Sequence, residues 1–522
     1  FVAGYCDADA SKNRNSSKNY NTSNVYSSIQ ATGDTHVNFI RDCFPIAGIY
    51  IVSEEDLTGQ ETNFGIRKHL TIRFRIFNAP NNQINSNTPF VVTDIGEPVF
   101  GETWCLEVED DQSFTLPNGL VTGNCAVRHV DSIRSFSEIF YLLLCGCGVG
   151  IGLQHKYLKR LPNLVTADDK TGTVLTYVVE DTIEGWSDSI EALLSCYFKN
   201  TAWTGRKIVF DYSRIRKKGA ILKTGGGRAP GYRGLKKAHS KIKNLLDFII
   251  EEMNQTRMRS INAYDILMHL SDAVLSGGIR RSACSLVFLE DDIDLMNSKT
   301  YFKVLKKGKF EYNEKTQKFE GYVIIDDPCY PNQKIDVEVT NNYGDFDLLN
   351  DQNLISWIYT YPQRARSNNS VLLLRDKLTL ERFTEIFERT KQFGEPGFVF
   401  ANDEDTLYNP CFEISFLPIY EGQCGVQFCN LSSINGAKIK TKEDFLRAAK
   451  NAAIVGTLQA AYTDFPYLSN TAKWLTEEEA LLGVSITGMM DNPEINLDPE
   501  IQLEAANLVK EVNQRWAEKL YI

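Results

Sequence analysis

Asn409-Pro410-Cys411-Phe412-Glu413, followed by Cys429 in the run FCNLSSIN (428–435), is the stretch on which the reading of this chain turns. In a strand or turn, Asn409, Cys411 and Glu413 lie two apart and project from one face, so an amide, a thiol and a carboxylate converge on one small molecule. A thiol can carry a hydrogen-abstracting radical, because S–H and activated C–H bonds have comparable strengths and the transfer is reversible. A carboxylate beside it can take a hydroxyl proton, and the amide can hold a hydroxyl.

The rest of the composition fits a globular chain. Of 522 residues, 43% are hydrophobic and 24% charged, which argues against disorder, collagen or a coiled coil. The net charge of -11 argues against a protein that wraps nucleic acid over its whole surface. No stretch approaches the 18 or so uncharged apolar residues of a membrane span, so no membrane association is expected. Twelve cysteines without a secretory leader read as thiols in a reducing, cytoplasmic compartment. No C-x-x-C pair occurs and the six histidines are scattered, so zinc or iron–sulfur ligation finds no spacing. The chain opens on Phe1 and stops in the helical-looking VNQRWAEKLYI, so both ends read as cut.

From Cys125 onward, helices alternate with short apolar strands, the texture of an α/β domain. SFSEIFYLLLCG, EGWSDSIEALLSCYF, KIKNLLDFIIEEMNQ, LTLERFTEIFERTKQ and KEDFLRAAKNAAIVGTLQAAY predict helices, whereas KIVFDY, SACSLVFL, SVLLL and PGFVFA predict strands. Residues 301–327 predict a β excursion, and 328–350 an irregular segment.

The N-x-C-x-E cluster resembles the finger-loop site of ribonucleotide reductases. VVEDTIEGWSDSIEALLSCYF (178–198), IVFDYSRIRKKGAILKTGGGRAPG (208–231), SGGIRRSACSLVFLEDD (276–292), RARSNNSVLLLRD (364–376), FGEPGFVFAND (393–403) and GVSITG (483–488) are similar to stretches of the monomeric, adenosylcobalamin-dependent (class II) ribonucleoside-triphosphate reductases. Six motifs in order, spanning nearly all of 125–522, make the match specific. The resemblance implies a ten-stranded α/β barrel of the thiyl-radical type, incomplete at its C-terminal side. It further implies Cys411 as the thiyl residue, Glu413 as the base, Asn409 as the hydroxyl clamp, and Cys125 with Cys429 as the thiols that supply two electrons by closing to a disulfide. Cys424 is the rival for Cys429. Adenosylcobalamin would start the radical, Mg would accompany the nucleotide, dNTP and ATP would act as effectors, and thioredoxin or a similar reductant would renew the thiols.

The alternate-glycine run Cys145-Gly-Cys-Gly-Val-Gly-Ile-Gly152 is no dinucleotide fingerprint. It reads either as close backbone approach to a nucleotide, involving Gly146 and Gly148, or as helix–strand packing, with Cys145 and Cys147 as packed thiols. The cationic run 214–244 carries Arg214, Arg216 and Lys223 around GGGRAPG. It reads as a triphosphate-binding effector loop (about 208–245) in preference to a solvated loop or a nucleic-acid patch. Arg280 and Arg281 read as phosphate contacts or structural residues.

Ahead of Cys125 the texture is different. FVAGYCDADASK resembles the LAGLIDADG motif of homing endonucleases, in which an apolar helix delivers a carboxylate to a metal at DNA; Asp9 is then the metal-binding acid and Asp7 its neighbour. IAGIYIV and LTIRFRIFN predict strands, and GETWCLEVEDDQSFTLPNGLVTGN followed by Cys125 resembles the C-terminal splicing blocks of inteins, a small β-rich module of Hint type. Asn124 would cyclise to cut the chain and Cys125 would be the acceptor nucleophile. Gly123 and Gln112 stand where histidines commonly assist, so splicing is expected to be slow or to draw its protons from elsewhere. The expected domains are 1–88, an α+β endonuclease remnant, the part through which alone DNA would be a partner and which Mg would serve if not the nucleotide; 89–124, the splicing blocks; and 125–522, the barrel. Two alternatives stand beside this reading: the same barrel served by a separate radical-generating subunit (class I), and a homing protein for which 125–522 is inactive cargo.

Overall fold

The computed structural model describes residues 125–167, 174–220, 229–275, 283–330, 334–341 and 353–522, together with the backbone of short strands between residues 10 and 122. The chain divides into two compact units, 1–103 and 104–522. In the first, strands Ala10–Lys12, Tyr26–Thr32, Thr71–Asn78 and Ile49–Asp56 form one antiparallel sheet in that order. The two runs predicted as strands there, around residues 49 and 71, are strands. Asp7, Asp9 and Asn124 lie outside the described residues; strands Phe114–Thr115 and Val121–Thr122 form a hairpin shortly before Cys125.

The second unit is built on a curled, mixed sheet of seven strands. In chain order these are β1 (Cys125–His129), β2 (Gly148–Gly152), β3 (Cys284–Leu289), β4 (Ser367–Leu374), β5 (Gly397–Ala401), β6 (Val426–Asn435) and β7 (Leu482–Thr487). The spatial order is β5-β4-β3-β2-β1-β6-β7. The first five run parallel, β6 and β7 run parallel to each other, and the two groups meet antiparallel where β1 pairs with β6. Seven strands are therefore present among the described residues where the sequence reading expects a ten-stranded design lacking its last members.

Residue alternation along these strands sorts two cores. Ala126, Val149, Ile151, Leu286, Phe288, Val371 and Leu373 face the helix layer, whereas Val127, Val287, Leu372 and Ala401 face the hollow of the sheet, where they meet Leu407 and Phe416. Strands buried on both faces read as near-continuous apolar runs, which is why SVLLL and SACSLVFL were legible. Helix α1 (Ile133–Leu144) shows how a crossover is set. Ser132 caps its start by accepting from Ser135 N, and Gly146 at φ +86 ends it, with Cys147 N donating to Leu142 O and Gly146 N to Leu143 O. Phe136, Ile139, Phe140 and Leu143 are completely buried, each worth about 1.5–3 kcal/mol.

Two excursions leave the sheet. Between β2 and β3, parallel strands Val174–Val178 and Lys207–Asp211 pair only with each other, beside helices Ile183–Tyr197 and Arg233–Asp247. Between β3 and β4, a five-stranded antiparallel sheet closes over Phe302, Val323, Ile325, Val337, Val339 and Ile355. Its strand Lys334–Asn341 corrects the expectation of an irregular segment at 328–350. The alternation Ile335, Val337, Val339 there is a half-buried strand pattern hidden among charges. Fully buried Arg364 pins this excursion, donating twice to Asp265 at 2.8 and 2.7 Å and once to Ser298 O at 2.7 Å. Among the described residues no helix is long and apolar enough to cross a membrane.

Candidate active site

Cys125 begins β1 and Cys429 lies within β6. The antiparallel register makes them direct partners, so their side chains emerge on the same face of the sheet. That face is the hollow: Cys429 belongs to its apolar cluster and Cys125 packs against it. Direct antiparallel partners have Cα atoms about 4.5–5.5 Å apart, inside the range a disulfide spans. Both sulfurs are in the thiol form. Cys424 sits elsewhere, on the hairpin Ile419–Tyr420/Gln423–Cys424, with Arg160 Nη1 3.9 Å from its sulfur.

The third thiol arrives on a loop. Leu407–Tyr408 pairs with Ser415–Phe416 to make a narrow hairpin that enters the hollow, and residues 409–414 form its tip. Asn409 organises that tip: its N–H donates to Ile414 O at 3.3 Å, its Oδ1 accepts from Ile414 N at 3.1 Å, and its carbonyl accepts from Phe412 N at 2.9 Å. Phe412 takes a left-handed φ of +63. Asn409, Cys411 and Glu413 are thus brought together by a tight turn and not by the alternation of a strand. Asn409 is fully buried, whereas Cys411 and Glu413 are exposed. The Nδ2 of Asn409 has no hydrogen-bond acceptor at normal geometry, although it lies near enough to Cys125 to favour a thiolate there.

The alternate glycines of β2 are what admit this loop. A Cβ on Gly150 would stand 1.9 Å from Tyr408 O, one on Gly148 would stand 3.1 Å from Pro410 Cγ and 3.2 Å from Cys125 Sγ, and one on Gly152 would strike the His129 ring at 2.3 Å. The close backbone approach that the glycine run suggested is therefore made, in this structure, by the cysteine loop.

Electrostatics keep the three sulfurs protonated. Burial, with Cys411, Cys429 and Glu413 adding to it, pushes Cys125 up to about 12; burial, Glu413 and Cys411 push Cys429 up to about 12. Cys411 is raised by burial and Glu413, while a hydrogen bond from Cys125 opposes the rise. These neighbours suppress thiolate formation, so the cluster is poorly suited to nucleophilic attack at neutral pH.

The remaining sequence-derived residues lie apart from this cluster or outside the described residues. Arg214 pairs with Glu180 and Arg216 Nε with Asp181 at 2.6 Å, both inside the excursion between β2 and β3. Gly146 terminates α1, Cys147 packs in the helix-side core and Cys145 is half-buried at the end of α1. Lys223, Arg280 and Arg281 lie outside the described residues. No group of three potential metal-ligating side chains occurs among the described residues. The sequence reading missed the anchors behind the loop. Fully buried His129 reaches Asp405 O, and Tyr157 donates to Asp405 Oδ1 at 2.7 Å. The signal was there in CAVRH: two ionisable residues in an apolar strand covered on both faces require partners.

Comparison with known proteins converges on one group. Residues 159–246 match the family described as B12-dependent ribonucleotide reductase, insertion domain. The chain is 36% identical over 107 residues to a probable adenosylcobalamin-dependent ribonucleoside-triphosphate reductase of Dictyostelium discoideum, covering 20% of this chain and 13% of that protein. It is 32% identical over 155 residues to the adenosylcobalamin-dependent ribonucleoside-triphosphate reductase of Euglena gracilis, covering 30% and 20%. With the enzyme of the same name from Lactobacillus acidophilus it is 26% identical over 247 residues, covering 40% and 33%. The matched stretches thus span a third or less of these relatives' length. A crystal structure of a B-12 dependent (class II) ribonucleotide reductase superposes with a TM-score of 0.51 at 18% identity, over 76% of this chain and 58% of that one, and shares the curled half-barrel fold. The family match, the relatives and the shared fold all point to the B12-dependent ribonucleotide reductases.

Proposed function

We propose that residues 125–522 are catalytic body of an adenosylcobalamin-dependent ribonucleoside-triphosphate reductase, part of a ten-stranded barrel, which makes 2′-deoxyribonucleotides by thiyl-radical chemistry. The observation that carries this reading is the register of Cys125 opposite Cys429, with the Cys411 loop inserted over them. Cys411 as a thiyl takes the 3′-hydrogen of the ribose. Glu413 accepts the 3′-hydroxyl proton, and the unpartnered Nδ2 of Asn409 donates to a sugar hydroxyl. The 2′-hydroxyl leaves as water. Cys125 and Cys429 supply two electrons and two hydrogens as they close to a disulfide, and Cys411 returns the 3′-hydrogen, so the net change is one C–OH replaced by C–H against one S–S bond formed.

Cys411 is the exposed member of the three thiols, and the Tyr408 and Phe412 rings, stacked at 5.9 Å, flank it. The exposure of Cys411 supports approach by a bulky group, which the Tyr408 and Phe412 rings would help hold. Adenosylcobalamin would supply there the initial hydrogen-abstracting radical. Residues about 208–245 would take dNTP or ATP effectors, Mg would travel with the nucleotide, and a thioredoxin-type reductant would reopen the disulfide in a monomeric, cytoplasmic enzyme. Residues 1–124 would be an endonuclease remnant and the end of an intein. The hairpin Phe114–Thr115/Val121–Thr122 just ahead of Cys125 supports that reading.

The deciding experiment is turnover of CTP and CDP by the chain extended to its natural gene ends, with and without adenosylcobalamin. Product only with the cofactor supports the proposal; product only with an added protein subunit removes the cobalamin assignment. Intact mass after prolonged thiol treatment tests the front part, where an uncut Asn124–Cys125 bond would count against residual splicing.

A further inference from the structure

The segment leading into the cysteine loop is held from the same strand that carries Cys125. His129 ends β1 four residues after Cys125 and is completely buried. By strand alternation its ring points into the hollow with Cys125 and Val127. Its Nε2 lies 3.0 Å from the carbonyl oxygen of Asp405, and its Nδ1 lies 2.8 Å from Oε1 of Gln154. Both facing atoms are oxygens and the neutral ring has one N–H; the backbone carbonyl can only accept, whereas the Gln154 amide can turn its NH2 toward Nδ1, so the N–H belongs on Nε2. The Gln154 Nε2 lies 3.3 Å from Glu404 O, and the His129 and Tyr157 rings lie 4.4 Å apart, with Tyr157 in turn bonded to the Asp405 carboxylate. Gly152 completes the seat, because a Cβ there would collide with His129, Gln154 and Leu407 together. Two residues past Asp405, Leu407 plugs the apolar hollow, and four further on is Cys411.

We propose that His129 is a positioning residue for Cys411: by donating to the Asp405 carbonyl from the strand that also bears Cys125, it fixes the distance between the loop thiol and the thiol pair. Its consequence for turnover rests on the reductase reading above, whereas its effect on the loop does not. Burying a ring nitrogen against one backbone carbonyl has a structural benefit anywhere. What marks this one is that strand, ring and loop form a single rigid link between two sulfurs that must keep register with each other.

The test is site-resolved alkylation of the cofactor-free chain with iodoacetamide, read by peptide mass spectrometry, in His129→Phe and His129→Gln. Phenylalanine keeps the ring volume and loses the donor; glutamine keeps an N–H donor. Cys429 is buried beneath the loop, and one lost hydrogen bond raises the loop's open population about fivefold, so Cys429 in the phenylalanine variant should react about fivefold faster while Cys145 and Cys424 keep their rates, and glutamine should restore most of the difference. Unchanged Cys429 reactivity in a folded phenylalanine variant overturns the proposal, as does a rise shared equally by all cysteines that glutamine fails to reverse. If the phenylalanine variant does not fold, Gln154→Met serves instead: it removes the group that orients the ring, and equal Cys429 rates in it and the parent chain overturn the proposal. The readout requires neither nucleotide nor cobalamin, so it can fail or succeed independently of the reductase assignment.

Discussion

Cys125 and Cys429 stand directly opposite each other at the one antiparallel junction of the seven-stranded sheet, although 304 residues separate them in the chain. Their placement makes the thiol pair a property of sheet topology. Mild oxidation by diamide should therefore give a Cys125–Cys429 disulfide as the dominant crosslink in peptide maps, without loss of fold. A dominant bridge to Cys424 would contradict the register.

Gly150 tests the seat of the loop. In Gly150→Ala the added Cβ would stand 1.9 Å from the Tyr408 carbonyl oxygen, so either β2 or the loop must move. Overpacking of this kind costs about 1–3 kcal/mol, measurable by urea unfolding, and Cys411 should be displaced with it. Gly456→Ala is the control. It lies in helix Lys442–Ala460, and its nearest neighbour would be the flexible end of Leu482 at 3.3 Å. Helix propensity favours alanine there by up to about 1 kcal/mol, so stability should hold or rise slightly.

These two positions also show what the sequence could and could not disclose. The order of helices and strands after Cys125 was legible because strands buried on both faces are short and apolar and the helices are amphipathic. Asn409, Cys411 and Glu413 were legible as a cluster. The turn that unites them was not, since Phe412 carries no sign of the left-handed φ it adopts. The glycines at 148, 150 and 152 announced a close approach but not by what, because the partner is 258 residues away at Tyr408. Strand Lys334–Asn341 was missed because alternating charges masked its three inward aliphatics. His129 was passed over because a lone histidine has no spacing, and only the fold brings it to Asp405.

Acid should destabilise the fold well before its carboxylates titrate. Burial pushes His129 and His269 down to about 4 and His239 to about 3, from 6.5. The unfolded chain thus binds more protons than the native one between those values. Their contribution to stability is complete above pH 6.5 and is lost progressively as the pH falls toward 4. Denaturant midpoints should decline across that window, and His239→Phe, which removes one of the three proton acceptors, should flatten the slope. A midpoint constant from pH 7 to 4.5 would refute the burial of these rings.

Asn409 offers the sharpest separation of architecture from chemistry, because its two amide atoms do different things. Oδ1 accepts from Ile414 N at 3.1 Å and so closes the loop tip, while Nδ2 is buried with no acceptor of its own. Asn409→Asp keeps an oxygen in the first position and removes the donor from the second. It also sets a carboxylate near Glu413 and Cys125, so part of the loss will come from repulsion. Asn409→Ala removes both atoms without adding charge. If Nδ2 serves a sugar hydroxyl, the aspartate variant should retain the loop, judged by parent-like Cys429 alkylation, yet lose activity in the complete enzyme by about tenfold to a hundredfold, the worth of one buried hydrogen bond to substrate. The alanine variant should lose both the activity and the protection of Cys429 beneath the loop. An aspartate variant that turns over at the parent rate would mean the unpartnered nitrogen faces no substrate, leaving Asn409 with the turn alone.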